Sequence, residues 1–219
     1  MATRLYPWKQ LPTVTPTAWL SGWNKSSGVA NIGEARAIKP GPAGSSNEAV
    51  ALSGTSGHFT ALLWYVSPPL GAQTISGTVK GQFSVKETGS TDNLTLALGI
   101  QVIKPDGSIR GTLLAPSASD DTSTTPPELA SAASENRPFQ DAAEGQALTL
   151  TSVAVSSGDY LVWEWGVRQA STSVASQNAT LVSADSGSDL PEGTTGTGNP
   201  WLEFSGDISF LPIEYRGSS

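Results

Sequence analysis

The chain has 219 residues, a formal net charge of −7, 37% hydrophobic and only 14% charged residues, 23 Gly, 15 Pro and no Cys. So few charges exclude a disordered chain, and Gly and Pro spread along the whole length exclude a helical bundle and suit short strands joined by turns. The 12 scattered Lys and Arg cannot replace the counterions along a nucleic-acid backbone, and the lack of Cys removes disulfides, zinc–thiolate sites and cysteine nucleophiles.

No segment reaches the ~18 continuous apolar residues of a membrane helix. Met1-Ala2-Thr3-Arg4-Leu5-Tyr6-Pro7 lacks the apolar core of a signal peptide. The expectation is a soluble protein made in the cytoplasm without export. The Asn-x-Ser/Thr triplets at Asn24, Asn93 and Asn178 then read as chance products of a Ser/Thr-rich chain.

Residues 1–33 hold Pro7, Pro12 and Pro16, which block a helix, together with Trp8, Trp19 and Trp23 from the chain's seven tryptophans. They predict an extended N-terminal arm. It either folds back over its own domain or docks on a neighbouring subunit, and in the second case Tyr6, Trp8, Trp19 and Trp23 are the candidate assembly contacts.

Strand signals follow from residue 59 onward. Phe59 to Val66 is apolar on both faces, as in a central strand, and Ser67-Pro68-Pro69-Leu70-Gly71 stops it. From Ile75 to Lys86, Val79, Phe83 and Val85 alternate with Thr78, Lys80, Gln82 and Ser84. From Leu94 to Val102, Leu94, Leu96, Leu98, Ile100 and Val102 share one face. Lys104-Pro105-Asp106-Gly107 gives a hairpin turn before a strand at Ile109–Leu114, since Pro fixes φ and Gly accepts a positive one. Residues 115–146 predict the longest loop, with a short helix around Glu128–Ser134. Strands resume at Leu148–Val155 and, after a turn at Gly158-Asp159, at Tyr160–Arg168. There Leu161, Trp163, Trp165 and Val167 face one way and Val162, Glu164 and Arg168 the other. Residues 179–184 suggest a further strand, 186–199 a Gly-rich loop, and Trp201–Phe210 a closing strand. The ten or eleven strands show no fixed repeat. They predict an all-β fold: a single jelly-roll-like antiparallel β-sandwich at residues 34–219, preceded by the arm at 1–33.

Little in the sequence is equipped for catalysis. His58 is the sole histidine, lies outside any Gly-x-Ser-x-Gly elbow, and reads as a turn residue. One imidazole cannot build an ordinary histidine metal site. Glu164, mid-strand between two tryptophans, is the candidate for a sugar-cleaving carboxylate, against the ordinary reading of an outward-facing acid. Asp120-Asp121 and the group Asp185, Asp189 and Glu192 offer oxygen ligands without the spacing of a calcium loop, and read as solvated loop charge. Trp163, Trp165 and Trp201 could form the platform of a carbohydrate-binding module for host attachment, against the ordinary reading of core residues. No catalytic, metal or cofactor site is expected, and no nucleic-acid or membrane partner.

Several segments resemble a family of tailed-bacteriophage virion proteins with β-sandwich folds. They are Arg4-Leu5-Tyr6 with Trp23, Tyr65-Val66-Ser67-Pro68-Pro69-Leu70-Gly71-Ala72-Gln73-Thr74-Ile75-Ser76-Gly77, and Pro105-Asp106-Gly107 with Arg110-Gly111-Thr112-Leu113-Leu114. Gly158-Asp159-Tyr160-Leu161-Val162 and Asn199-Pro200-Trp201-Leu202-Glu203-Phe204-Ser205 complete the set, in an order that spans nearly the whole chain. The chain departs from the pattern at Trp163-Glu164-Trp165 and in the loop after Leu114. The resemblance implies a non-enzymatic head, neck or tail component located in the virion, such as a capsid decoration or minor tail protein. Its partners would be other virion proteins of a capsid or tail lattice, with homo-oligomers in the particle.

Overall fold

Period-two alternation predicts a sheet protein, and strands dominate the structure. A computed structural model describes residues 1–8, 10–26, 32–37, 47–52, 59–87, 94–118, 129, 135–139, 147–169, 177–182, 188–192 and 198–212. Among them run β1 (Thr3–Trp8), β2 (Lys25–Ser26), β3 (Ile32–Arg36), β4 (Asn47–Leu52), β5 (Phe59–Pro69), β6 (Gln73–Ile75), β7 (Thr78–Glu87) and β8 (Leu94–Ile103). They continue as β9 (Ile109–Ala118), β10 (Glu135–Phe139), β11 (Leu148–Thr149), β12 (Val153–Val155), β13 (Tyr160–Gln169), β14 (Gln177–Val182) and β15 (Trp201–Phe204).

The strands form an all-β, jelly-roll-like sandwich. One path of pairing runs β4-β14-β7-β15-β1-β3-β5-β13-β8-β9, with β10 and β11 also on β7 and β2 on β5; β6 and β12 make a separate ribbon. The pairing is antiparallel except where β2 and β3 run parallel to β5. Two layers arise because β1 changes partners midway. Thr3, Arg4 and Leu5 pair with Phe204, Glu203 and Leu202 of β15, whereas Tyr6, Pro7 and Trp8 pair with Arg36, Ala35 and Glu34 of β3. A strand that switches sheets makes a corner of a sandwich. Residues 3–8 of the expected arm are therefore a structural strand at the seam between the layers.

The core fills the space between the layers. Trp163 of β13 lies edge-on to Tyr65 of β5 (centroids 5.2 Å apart, 90°) and to Phe83 of β7 across the sandwich (6.0 Å, 71°). Leu5, Phe83, Leu98, Trp163, Trp165 and Leu202 are among the fully buried members of this cluster. The expected inward sets on β7, β8 and β13 all lie here.

Several expected boundaries shift for identifiable reasons. β5 runs through Pro68 to Pro69 because the pairing with β13 is irregular there, between Tyr160 and Val162. The missing proline N–H groups fall at this irregularity, and Ser67 Oγ accepts the Leu161 N–H at 2.9 Å. Gly77, at φ +95°, divides the expected strand at 75–86 into β6 and β7. The predicted loop at 115–146 loses both strand segments: β9 extends to Ala118, and β10 pairs with β7, Arg137 opposite Phe83. Of the helix expected at 128–134 only Leu129 is described, and it is buried, its N–H donating to Leu94 O at 2.8 Å. The closing strand is shorter, at Trp201–Phe204, with Phe210 in an isolated bridge to Leu70.

Both predicted turns form. Gly107 takes φ +82° and donates its N–H to Lys104 O at 2.9 Å, and a side chain there would strike Thr15 O of the arm. At the second turn Gly158 takes φ +91°, and the fully buried Asp159 caps it by accepting the Ser156 N–H at 2.8 Å and pairing with Arg110 of β9.

Because Leu5 is buried at the seam, Leu5→Ala is expected to cost about 3 kcal/mol in urea unfolding. Deleting residues 1–23 is expected to abolish the cooperative melting transition, as read by circular dichroism. A deletion variant that melts like the full chain would show that the seam does not depend on β1.

Candidate functional site

Alternation along β13 sends Trp163 and Trp165 into the core and Glu164 to the opposite face. That face is not open to water. The segment at residues 18–23 crosses it, and Glu164 is fully buried beneath. The Leu20 N–H donates to Oε1 at 3.0 Å and Oε2 at 3.2 Å, and Trp23 Nε1 donates to Oε2 at 2.5 Å. From the sheet below, Trp64 Nε1 of β5 donates to Oε1 at 3.3 Å and Gln101 Nε2 of β8 at 2.6 Å. The same Gln101 amide donates to Ala18 O at 3.2 Å. Gly99 opens the space for this arrangement, since a Cβ there would lie 3.0 Å from Leu20 Cδ1 and 3.2 Å from Glu164 Oε2. Trp19 packs on Trp64 with centroids 4.1 Å apart.

Every partner of Glu164 is a donor, which suits an ionised carboxylate, a group that only accepts. Burial acts the other way, because it disfavours the charged form. Burial prevails and pushes the carboxyl up to about 7, against the pull of Trp23, Leu20, Trp64 and Gln101. A general acid must reach the leaving group. Glu164 has no exposed surface and both oxygens are occupied, so its place here is that of a fastener for the arm.

A second polar cluster holds β1. Arg4 donates from Nη1 to Asp189 Oδ2 at 2.7 Å, and from Nε and Nη2 to Glu203 Oε2 at 3.0 and 2.5 Å. Its guanidinium lies 3.9 Å from the centroid of the Trp201 ring, close enough for cation–π attraction. Lys80, bonded to Glu192 at 2.6 Å, lies 5.9 Å from the centroid of the same ring. Tyr6 donates its hydroxyl to Asp189 Oδ2 at 3.1 Å. Burial and the neighbouring Asp189 charge push the phenol up to about 12.

The candidate arm contacts thus divide between the two clusters. Tyr6 is buried against Leu190 and Trp201 with the half-buried Trp8 beside it, while of the half-buried pair Trp19 packs on Trp64 and Trp23 bonds Glu164. Trp163 and Trp165 are 0% exposed and Trp201 is 1%. Burial places these three rings in the core, the ordinary reading, and leaves no face for the alternative sugar platform. Of the candidate calcium ligands, Asp189 binds Arg4 and Glu192 binds Lys80. His58, Asp120, Asp121 and Asp185 lie outside the described residues, among which no group of three or more metal-ligating side chains is found. Arg4 and Glu203 stand in the sequence only as members of the resembling segments, and Gln101 carries no signal, although Arg4, Tyr6 and Trp8 do alternate as one strand face.

No protein-family profile and no curated protein matches the chain. Among solved structures it is similar to one of infectious bursal disease virus, Gt strain, at 15% identity over 74% of this chain and 34% of the other, with a TM-score of 0.28. It is also similar to a CocE/NonD family hydrolase from Staphylococcus aureus, at 12% identity, 96% and 35% coverage and a TM-score of 0.30. The VP2 subviral particle of infectious bursal disease virus gives 13% identity, 72% and 39% coverage and a TM-score of 0.25. The chain spans about a third of the length of the first two. None of the three comes from a tailed bacteriophage.

The Glu164 carboxyl holds its proton up to about pH 7, against an ordinary value of 4.5. Its contribution to stability is therefore full below pH 4.5 and is lost as pH rises through 7, by roughly 3 kcal/mol in all. Urea unfolding between pH 5 and pH 8 is expected to show this fall. Glu164→Gln, which does not titrate, should flatten it, and an unchanged slope in the variant would rule out Glu164 as the source.

Proposed function

We propose that the chain is a non-enzymatic structural component of a virus particle, with the head, neck or tail of a tailed bacteriophage as its station. In this reading it binds neighbouring virion proteins as a capsid decoration or minor tail protein. The observation that supports it most is the use made of the charged groups. Glu164, Arg4, Asp189, Glu203 and Asp159 all fasten one part of the chain to another. A protein whose buried and half-buried charged groups are devoted to holding a sandwich closed is built to be a rigid part.

The segments that resemble phage virion proteins fit the same reading, because they fall on elements that define the scaffold. Arg4-Leu5-Tyr6 lies in the seam strand β1, and residues 65–77 carry the passage from β5 to β6. Residues 105–114 make the β8–β9 hairpin, 158–162 the entry to β13, and 199–205 the strand β15 that receives β1.

Mass spectrometry of purified particles tests the proposal. The chain is expected in the particle at a fixed copy number relative to the major capsid protein. Its absence from particles, when it is abundant in the infected cell, would overturn it.

A further inference from the structure

We infer that the slot between β15 and β3 accepts β1 from a second copy of this chain, so that two copies exchange their first strands. The inference goes beyond the virion reading and does not rest on it.

Three observations carry it. The first is that β1 is held entirely by partners distant in sequence or across a connector: it pairs with β15, some 200 positions away, and with β3. Every contact it makes in the slot can be made identically by the same residues of another copy. The second is charge complementarity. The strand brings Arg4, and the slot presents Asp189 and Glu203 to receive it, in a chain whose net charge of −7 otherwise opposes self-association.

The third is the connector. Gln10, Leu11 and Thr13 are exposed, Leu11 at 76%, and Pro12 keeps the backbone extended, whereas from Val14 onward the segment packs on the body, with Pro16 buried. The four residues 10–13 add about 13 Å of reach at ~3.3 Å each, enough to carry β1 to a second body in direct contact with the first. The root of the connector stays at home, because Leu20 and Trp23 are bonded to Glu164 and the Thr17 N–H to Gly107 O at 3.0 Å. Fastened root, exposed connector and self-complementary strand are the parts an exchange requires. Raising the concentration of the chain favours the exchanged form over the closed one.

A charge-reversal pair tests the exchange. Arg4→Glu spoils the strand of one variant, and Asp189→Lys/Glu203→Lys spoils the slot of the other. Each alone is expected to melt at lower temperature. When mixed, only an exchanged heterodimer matches both strands with both slots, so a 1:1 heterodimer in native mass spectrometry and recovery of the lost melting temperature are expected. Two monomers that melt in the mixture as they do alone would overturn the inference. Because either variant can fail to fold, a second measurement uses Leu5→Cys/Leu202→Cys in the otherwise unchanged chain, which has no cysteines of its own and pairs these positions. Oxidation at high concentration is expected to give covalent dimers on a non-reducing gel, and solely intramolecular disulfides would overturn the exchange. Neither result bears on whether the chain is found in virus particles.

Discussion

The structure depends on one short strand being shared between two sheets. Half of β1 completes the layer of β4, β14, β7 and β15, and the other half opens the layer of β3, β5, β13, β8 and β9. Backbone hydrogen bonds at that seam are what make two stacked sheets a single folded unit, and Leu5 carries the seam into the core. The arrangement has a kinetic side. Pairing Thr3 with Phe204 closes a loop of nearly the whole chain, so the seam forms only after its entropic cost has been met by contacts elsewhere. The central strands β5, β13 and β8 supply such contacts independently of β1.

Two polar clusters then hold what the seam strand begins, and they work by opposite means. At Arg4 the charges are partly exposed and opposite in sign: two guanidinium nitrogens converge on Glu203 Oε2, a third reaches Asp189, and the plane lies against an aromatic face, an arrangement that gains from charge-assisted bonds and from the ring. At Glu164 the partners among the described residues carry no positive charge, and the carboxyl depends on four neutral donors within a buried layer. Burial raises its cost of ionisation faster than the donors lower it. Of its partners the two indoles and the Leu20 N–H can only donate, so the protonated form depends on the Gln101 amide turning its oxygen, which has no partner among the described residues, toward the carboxyl, and that adjustment lies between the arm and the sheet.

The sequence made the sheet content plain because alternation is local. Leu94, Leu96, Leu98, Ile100 and Val102 mark a strand without knowledge of any neighbour, and Lys104-Pro105-Asp106-Gly107 marks its turn. What the arm covers was not legible, because covering is a long-range fact. All ten residues of β8 are buried: its inner face lies in the core, while on the other face Gly99 and Gln101 lie under the arm segment that contains Leu20. The same cover turns Glu164 from an expected surface acid into a buried one. Tryptophans at 19 and 23 were legible as apolar payload for the arm, but not as a ring stacked on Trp64 and a donor to Glu164. β10 was missed for a different reason: Glu135-Asn136-Arg137-Pro138-Phe139 has neither alternation nor β-branched residues, and it is a strand because β7 offers it an edge.

The late position of β15 also matters during synthesis. A ribosome adding ~5–20 residues per second needs roughly 10–40 s to travel from β1 to Phe204, and for that interval β1 has no partner on one side. Leu5 and Tyr6 spend it unsheltered on a growing chain, and other copies of the same chain grow nearby on the same message. Copies further along the message present their completed slots first. The order in which the two halves of the seam leave the ribosome thus makes translation the moment when a first strand can choose between its own body and a sibling's.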